Sequence, residues 1–318
     1  MTADIHPADR PPLARATLDR AAHRRTDQRW LDAAWERSRV LVVDTATGGR
    51  TLVTGTDRPA LVLFAPDAAP DVGPAGRLFL GVDSGGVPYF AVDAPLPEVP
   101  DARAVTVRQV GHLLSDRDAG LFATAVALAN WHAQHAYSPA TGLPTRVAEG
   151  GWCRVDETGR QMWPRTDPAM IVLIHDGVPG PDGRCLLGHN AAWSDHEGRR
   201  RFSCFAGYVE PGESAEAAVA REVGEEVGLR LDRIEYVASQ SWPYPGSLML
   251  GFHALADPAQ SLRLSPGEMA HARWFSRREI AAALAGDEVD VGDGHRLTLP
   301  PPSSIAHFLI LTWLNPGR

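Results

Sequence analysis

Glu222, Glu225 and Glu226 stand at i, i+3 and i+4 in an alanine-rich run that opens at Ser214, a fitting N-cap, and stops at Gly228. Helical spacing puts all three carboxylates on one face. Like charges this close repel, so a fold keeps them together only where a cation sits among them or where all face water. A hard divalent ion such as Mg²⁺ or Mn²⁺ accepts oxygen ligands and is completed by waters and phosphate oxygens. The plainer alternative is a solvated acidic helix face. Against it stands an ordered pattern from Gly207 to Leu229, G-x5-E-x7-R-E-V-x-E-E-x-G-L, with Gly207 and Gly212 permitting a tight approach of the preceding loop.

That segment resembles the Nudix box, and every defined position of the box is filled. The resemblance implies an α/β (α+β) chain, a Nudix α/β/α sandwich whose loop-helix-loop grips divalent metals and cleaves a nucleoside diphosphate linked to another group. It further implies Glu222, Glu225 and Glu226 as metal ligands, one of them also orienting or deprotonating the attacking water, and Arg221 as the residue that steadies them with Glu213 as its ion partner. Two or three metals at such a site would make water a nucleophile near neutral pH and neutralise charge on the bridging phosphate.

The elements that must position these residues can be read from the rest of the chain. Its 318 residues suffice for two domains with separate cores. Short apolar runs at Val40–Val43, Leu61–Phe64, Arg77–Gly81 and Tyr89–Val92, separated by Gly, Pro and Asp, predict a smaller, mostly antiparallel β domain at the N-terminal side. A short helical pattern lies around Leu18–Arg25, and Ser115–His135 reads as a helix with Leu121, Ala125, Leu128 and Trp131 on its core face. The expected divisions are an N-terminal domain at 1–135, an irregular connector at 136–165 and a catalytic domain at 166–318. Within the last, Met170–Ile174, Cys185–Gly188 and Phe202–Phe205 predict strands, and Ser276–Glu279 is a capping box for a helix through Leu284. Arg199–Arg201 is read as a solvated turn, since three adjacent residues cannot all face one site.

Ten residues beyond the box lies Ser239-Gln-Ser-Trp-Pro-Tyr-Pro-Gly-Ser247. Two prolines fix the backbone around two aromatic rings that can stack on a base, while Gln240 and Ser247 offer directional hydrogen bonds. This stretch is similar to the signature that follows the box in the NADH pyrophosphatases (NudC-like), with Ser241 in place of a proline and Tyr244 in place of a phenylalanine. The resemblance implies a substrate-binding loop of Gln240, Ser241, Trp242, Pro243, Tyr244, Pro245, Gly246 and Ser247. It also implies Arg108, Trp163 and Ala306 as further substrate contacts, and the Ala206 carbonyl and Glu268 as additional metal ligands. In that family a four-cysteine zinc ribbon lies between the flanks that survive here as Trp131-His132 and Pro164–Pro168. Its ligand positions fall on Ser138, Thr141, Val155 and Thr158, none of which replaces a thiolate. No structural zinc is therefore expected; Cys153 is out of register, and His132 and His135 are read as ordinary core or surface histidines.

The implied activity is hydrolysis of the diphosphate of NADH or NAD⁺ to a nicotinamide mononucleotide and AMP, with removal of NAD caps from RNA as a variant of the same chemistry. The alternatives are a Nudix hydrolase for another diphosphate such as ADP-ribose, and a non-catalytic nucleotide sensor, whose signature would be eroded metal-binding glutamates. A homodimer is implied by the family. With a net charge of −8, broad attraction to nucleic acid is not expected. All 31 basic residues are arginine, which excludes Schiff-base lysine chemistry and leaves phosphate recognition to guanidinium groups, metals and backbone amides. Three scattered cysteines do not make a disulfide framework. Neither a bilayer-spanning apolar run nor a signal-peptide core is apparent, so a cytoplasmic location is expected.

Overall fold

The computed structural model describes residues 10–315. Contacts divide the chain into two units, one made of residues 12–166 and 241–247, the other of residues 167–240 and the chain from Leu248 onward. Among the described residues no helix is long and apolar enough to cross a membrane.

In the N-terminal unit, α1 (Gln28–Trp35) precedes β1 (Arg39–Val43), β2 (Arg50–Thr54), β3 (Ala60–Leu61), β4 (Leu63–Phe64), β5 (Leu78–Val82), β6 (Pro88–Asp93) and β7 (Arg103–Thr106). The short α2 (Val107–Val110) and the long α3 (Asp116–Gln134) follow. One sheet runs β4-β1-β6-β5 and a second β3-β2-β7. β1 and β6 are unbroken apolar runs, the mark of strands buried on both faces, and they pair in parallel, while β1 with β4, β5 with β6, and β2 with β3 and β7 pair antiparallel, as a mostly antiparallel domain should. Alternation along the strands explains the layering. Leu41, Val43, Leu80 and Ala91 pack with Leu121, Phe122 and Ala125 of α3, whereas Val40, Val42, Phe79 and Phe90 pack with Leu31, Ala34 and Trp35 of α1. The helical pattern expected at Leu18–Arg25 is only a single 3₁₀ turn at Ala22–Arg24. The helix starts later because the Asp27 side chain caps it by accepting the Trp30 amide.

Residues 136–165 are less irregular than their composition predicts. They form β8 (Thr145–Ala148), β9 (Cys153–Asp156) and β10 (Gln161–Met162), an antiparallel sheet in the order β10-β9-β8. Its organising group is Asp156, 4% exposed. The hydroxyls of Thr141 and Thr158 donate to its carboxylate at 3.0 and 2.6 Å, and the Thr158 and Arg160 amides at 3.0 Å. Thr141 and Thr158 are two of the positions where the resemblance places zinc ligands. The donors, the Thr158 hydroxyl foremost, hold the Asp156 carboxyl well below the usual range against the opposing effect of burial.

The second unit contains β11 (Asp167–His175), β12 (Arg184–Asn190), β13 (Arg199–Arg201), β14 (Phe205–Tyr208), α4 (Ala215–Val227), β15 (Arg233–Trp242), β16 (Ser247–Leu255), β17 (Met269–Ser276), α5 (Arg277–Ala285), β18 (Asp290–Gly292), β19 (His295–Thr298) and α6 (Ile305–Leu314). The main sheet runs β15-β16-β11-β12-β17, with β14 paired to β11. Period-2 alternation along β11 again builds two cores. Met170, Val172 and Ile174 meet Ala218, Val219, Val223 and Val227 of α4; Ile171 and Leu173 meet Ile305, Leu309 and Ile310 of α6. Each fully buried valine or leucine at these layers contributes about 1.5–3 kcal/mol of transfer free energy, and together they fix the roll of α4, which decides where its acids point.

Arg199–Arg201 is not a solvated turn. The three residues form β13, parallel to β19, and strand alternation turns Arg200 inward, 7% exposed, where it bonds Asp195 with two nitrogens and Asp293 with a third. All three cysteines are buried and unpaired.

Candidate active site

α4 begins at Ser214, whose hydroxyl accepts the Ala217 amide at 3.1 Å, and ends at Gly228 in the left-handed conformation that terminates helices. Its apolar stripe is anchored under the sheet, so Arg221, Glu222, Glu225 and Glu226 are carried on the rest of the helix circumference. Arg221 is the hub. Its Nε and Nη2 donate to the two oxygens of Glu213 at 2.8 and 3.0 Å, its Nη1 to Glu222 and Glu225 at 2.9 and 3.1 Å, and Nη2 also to the Tyr208 carbonyl at 3.0 Å. One guanidinium thus ties the helix to the loop ahead of it and to β14.

Gly207 explains its own identity. A Cβ there would lie 2.0 Å from the Glu222 carboxyl carbon and Oε1, so the Glu222 carboxylate rests in the space that a side chain would fill. Ala206, beside it in β14, is paired to Ile171 of β11 and solvent-exposed.

Glu226 differs from its neighbours. It is 5% exposed and its Oε2 is buried with no hydrogen-bond partner. Burial, then the charges of Glu268, Glu222 and Glu225, push its carboxyl up from 4.5 to about 8. Glu268 arrives on a loop fixed by two backbone bonds: its carbonyl accepts the Ala191 amide at 2.8 Å, and Ser265 in the same loop donates to the Glu226 carbonyl at 3.0 Å.

A buried carboxylate oxygen without a partner, beside three other acids, is an arrangement that a bound cation would stabilise. The donor set is oxygen only, which suits a hard divalent ion rather than a thiophilic one. The acids do not yet converge: among the described residues no three histidine, cysteine, aspartate or glutamate side chains form a ready coordination group. The reason is visible, since Arg221 draws Glu222 and Glu225 toward itself. A divalent ion would compete with that guanidinium for them.

A second group of predicted residues gathers on the N-terminal unit. Trp242 and Tyr244 meet edge to face at 5.5 Å, and the Arg108 guanidinium lies 5.1 and 4.4 Å from their ring centres. Asn130 of α3, which no local pattern singles out, donates to the Pro243 carbonyl at 2.8 Å and pins the loop. Pro245 follows a cis peptide bond. Pro243 and Ser247 are buried, Ser241 and Gly246 half-buried. Gln240 is 1% exposed and gives its amide to the Ser303 carbonyl at 3.0 Å, which joins β15 to the turn before α6. Ala306, 1% exposed in the first turn of α6, accepts the Cys204 thiol at its carbonyl. Trp163 is 55% exposed and lines a separate cavity of about 500 Å³ whose walls include Trp131, His135, Arg160 and Arg165, but no residue of the 241–247 loop. His132 bridges the Gly151 carbonyl and Arg154, and His135 bonds the Trp131 carbonyl.

Comparison with known proteins identifies two domains in the chain. A family model for the Nudix domain matches residues 165–291, and one for the NADH pyrophosphatase-like rudimentary Nudix domain matches residues 37–131. The proteins named NAD-capped RNA hydrolase NudC from Mycobacterium tuberculosis and from Mycobacterium bovis are each 41% identical to this chain over 309 residues, 95% of this chain and 94% of theirs. The human protein named NAD-capped RNA hydrolase NUDT12 is 35% identical over 213 residues, 64% of this chain and 43% of that one. The chain therefore belongs to the Nudix hydrolases, in the NADH pyrophosphatase (NudC-like) family.

Proposed function

We propose that the protein hydrolyses the diphosphate of NADH or NAD⁺ to a nicotinamide mononucleotide and AMP, and that it removes NAD caps from RNA by the same cleavage. The observation that carries the chemistry is the buried, unpartnered Glu226 carboxylate among Glu222, Glu225 and Glu268. In the reaction a water oxygen bonds to one phosphorus, the bridging P–O bond breaks, and the two products leave as phosphate monoesters with the water's proton passed to a base. Mg²⁺ or Mn²⁺, two or three per site, held by Glu222, Glu225, Glu226, Glu268 and the Ala206 carbonyl, would supply Lewis acidity and an activated water. Arg221 keeps Glu222 and Glu225 in place through its bonds to Glu213 and the Tyr208 carbonyl. Trp242, Tyr244 and Arg108 offer two ring faces and a cation to a planar base and its phosphate. The homodimer and the cytoplasmic location belong to the same proposal.

The test is a product profile, by chromatography and mass, after incubation with Mg²⁺ or Mn²⁺ and NADH, NAD⁺, ADP-ribose and NAD-capped RNA in parallel. Equimolar AMP and reduced nicotinamide mononucleotide from NADH is the expected result, and 5′-monophosphate RNA from the capped substrate. Cleavage of ADP-ribose alone would overturn the dinucleotide assignment, and cleavage of nothing would favour a sensor.

A further inference from the structure

The N-terminal unit carries a surface that the hydrolytic site does not use. Phe79 and Phe90 pack at 5.2 Å, and three indoles rest on that pair: Trp30 on Phe79 at 5.5 Å, Trp35 on Phe90 at 5.4 Å, and Trp152 through a hydrogen bond from its Nε1 to the Phe79 carbonyl. Each indole is topped by guanidinium. Arg24 lies 5.3 Å from Trp30, Arg77 4.2 Å from Trp35, and both Arg25 and Arg20 lie over Trp152, at 3.7 and 5.2 Å.

The charges here are unbalanced. Arg24 has Asp27 at 4.0 Å, but among the described residues no carboxylate lies within ion-pair distance of Arg20, Arg25 or Arg77, and the Arg25 Nε is buried without a hydrogen-bond partner. Glu149, the acid that acts on Arg25 from farther away, accepts a bond from Gln161 instead. Partial burial lowers the pKa of Arg25, and the exposed Arg20 adds repulsion on it. Two cations crowded on one indole, in a chain of net charge −8, are an arrangement that an anion would relieve. Guanidinium forks match phosphate oxygens with two donors at once.

We propose that this arginine–tryptophan surface binds the phosphodiester backbone of single-stranded RNA, Arg20 and Arg25 gripping one phosphate beside Trp152 and Arg77 another beside Trp35. The occupant follows from the reading of the protein as a decapping hydrolase, on which this inference rests: a capped RNA carries a chain of phosphates that a free dinucleotide lacks. Arginines already stacked on rings are pre-organised, so little side-chain freedom is lost on binding. The surface adds affinity for the chain and leaves small dinucleotides untouched.

The experiment compares the full-length protein with the variants R20A/R25A/R77A and R20K/R25K/R77K. Fluorescence anisotropy with a labelled, uncapped, single-stranded RNA 12-mer over a salt series reads the surface independently of catalysis. For the alanine variant we expect affinity to fall about tenfold and the slope of log K against log salt to shrink by about 1.4, from two lost phosphate contacts at roughly 0.7 each. The lysine variant should keep most of that slope. Turnover of NADH should be unchanged in both, while KM for NAD-capped RNA should rise about tenfold in the alanine variant at constant kcat. Equal RNA affinity and slope in the wild type and the alanine variant would overturn the assignment, as would displacement of the RNA by millimolar inorganic phosphate alone or a fall in melting temperature that accounts for the loss. If no substrate is hydrolysed by the wild type, the activity reading fails, and the anisotropy still decides for or against the surface.

Discussion

Adding Mg²⁺ to the ion-free protein at neutral pH should release protons, and Glu226 should be their source. A carboxyl at about 8 is roughly nine-tenths protonated at pH 7, half at pH 8 and one-tenth at pH 9, and a metal ligand must give up that proton. Titration calorimetry in buffers of different ionisation enthalpy counts it: about 0.9 proton per site at pH 7, about 0.5 at pH 8 and about 0.1 at pH 9. The same group links pH to stability. Its folded pKa lies above the unfolded 4.5, so between these values the fold holds a proton that the unfolded chain has lost. The ion-free protein is then most stabilised by this group below pH 4.5 and loses that contribution as pH rises toward 8, by at most about 5 kcal/mol at about 1.4 kcal/mol per pH unit. E226Q should remove both the buffer-dependent heat and that slope, and should nearly abolish turnover while the protein stays folded. Heats at pH 7 that do not vary with buffer, or equal proton release from E226Q, would refute the claim that this carboxylate is the poised member of the cluster.

Three further expectations follow from single contacts. G207A forces a Cβ to within 2.0 Å of the Glu222 carboxyl, and displacing that group by about 1 Å should cost on the order of 100-fold in kcat with little change in melting temperature; full activity would show that Glu222 does not need its seat. D156N keeps the size of the connector's hub but removes the charge that four donors face, and should lower the melting temperature by several degrees, with unchanged melting as the contrary result. His132 and His175 are both held down to about 4, chiefly by burial; with folded values below the unfolded 6.5, stability should fall as pH drops from 6.5 toward 4, and H175Q should flatten part of that acid limb in a pH series of melting curves.

The box helix was legible because everything that defines it is local: a serine cap, an apolar stripe of period 3.6, acids on the remaining face and a terminal glycine. Local patterns also located the strands of the β4-β1-β6-β5 sheet and, in the main sheet, β11 and β12, whereas β15 and β16 flank the stretch read as a loop and the strand expected at Phe202–Phe205 begins only at Phe205. What was not legible depended on distant partners. The connector looks irregular because its strands are short and Pro- and Gly-flanked, and only the convergence of Thr141 and Thr158 on Asp156 makes it a sheet. Arg200 looked like part of a solvated run because nothing near it in sequence announces Asp293, its partner 93 residues away. The tie from Gln240 to Ser303 and the tie from Asn130 to Pro243 are likewise long-range, and a residue's spacing carries no trace of them. The proton affinity of Glu226 arises first from burial and then from Glu268, on a loop more than forty residues further on, so its sequence neighbours could mark it as an acid but not as the buried one.

The carboxylate hub in the connector has a consequence for how the protein fails and recovers. A ribbon closed by four thiolates comes apart when its ion is stripped or its sulfurs are oxidised, and it must then be rebuilt. Asp156 with its ring of hydroxyls and amides has nothing for a chelator to remove and nothing for peroxide to attack. Loss of divalent ions should therefore switch the enzyme off at its acids while leaving the N-terminal unit assembled, so that activity returns on ion addition within mixing time rather than on the timescale of refolding.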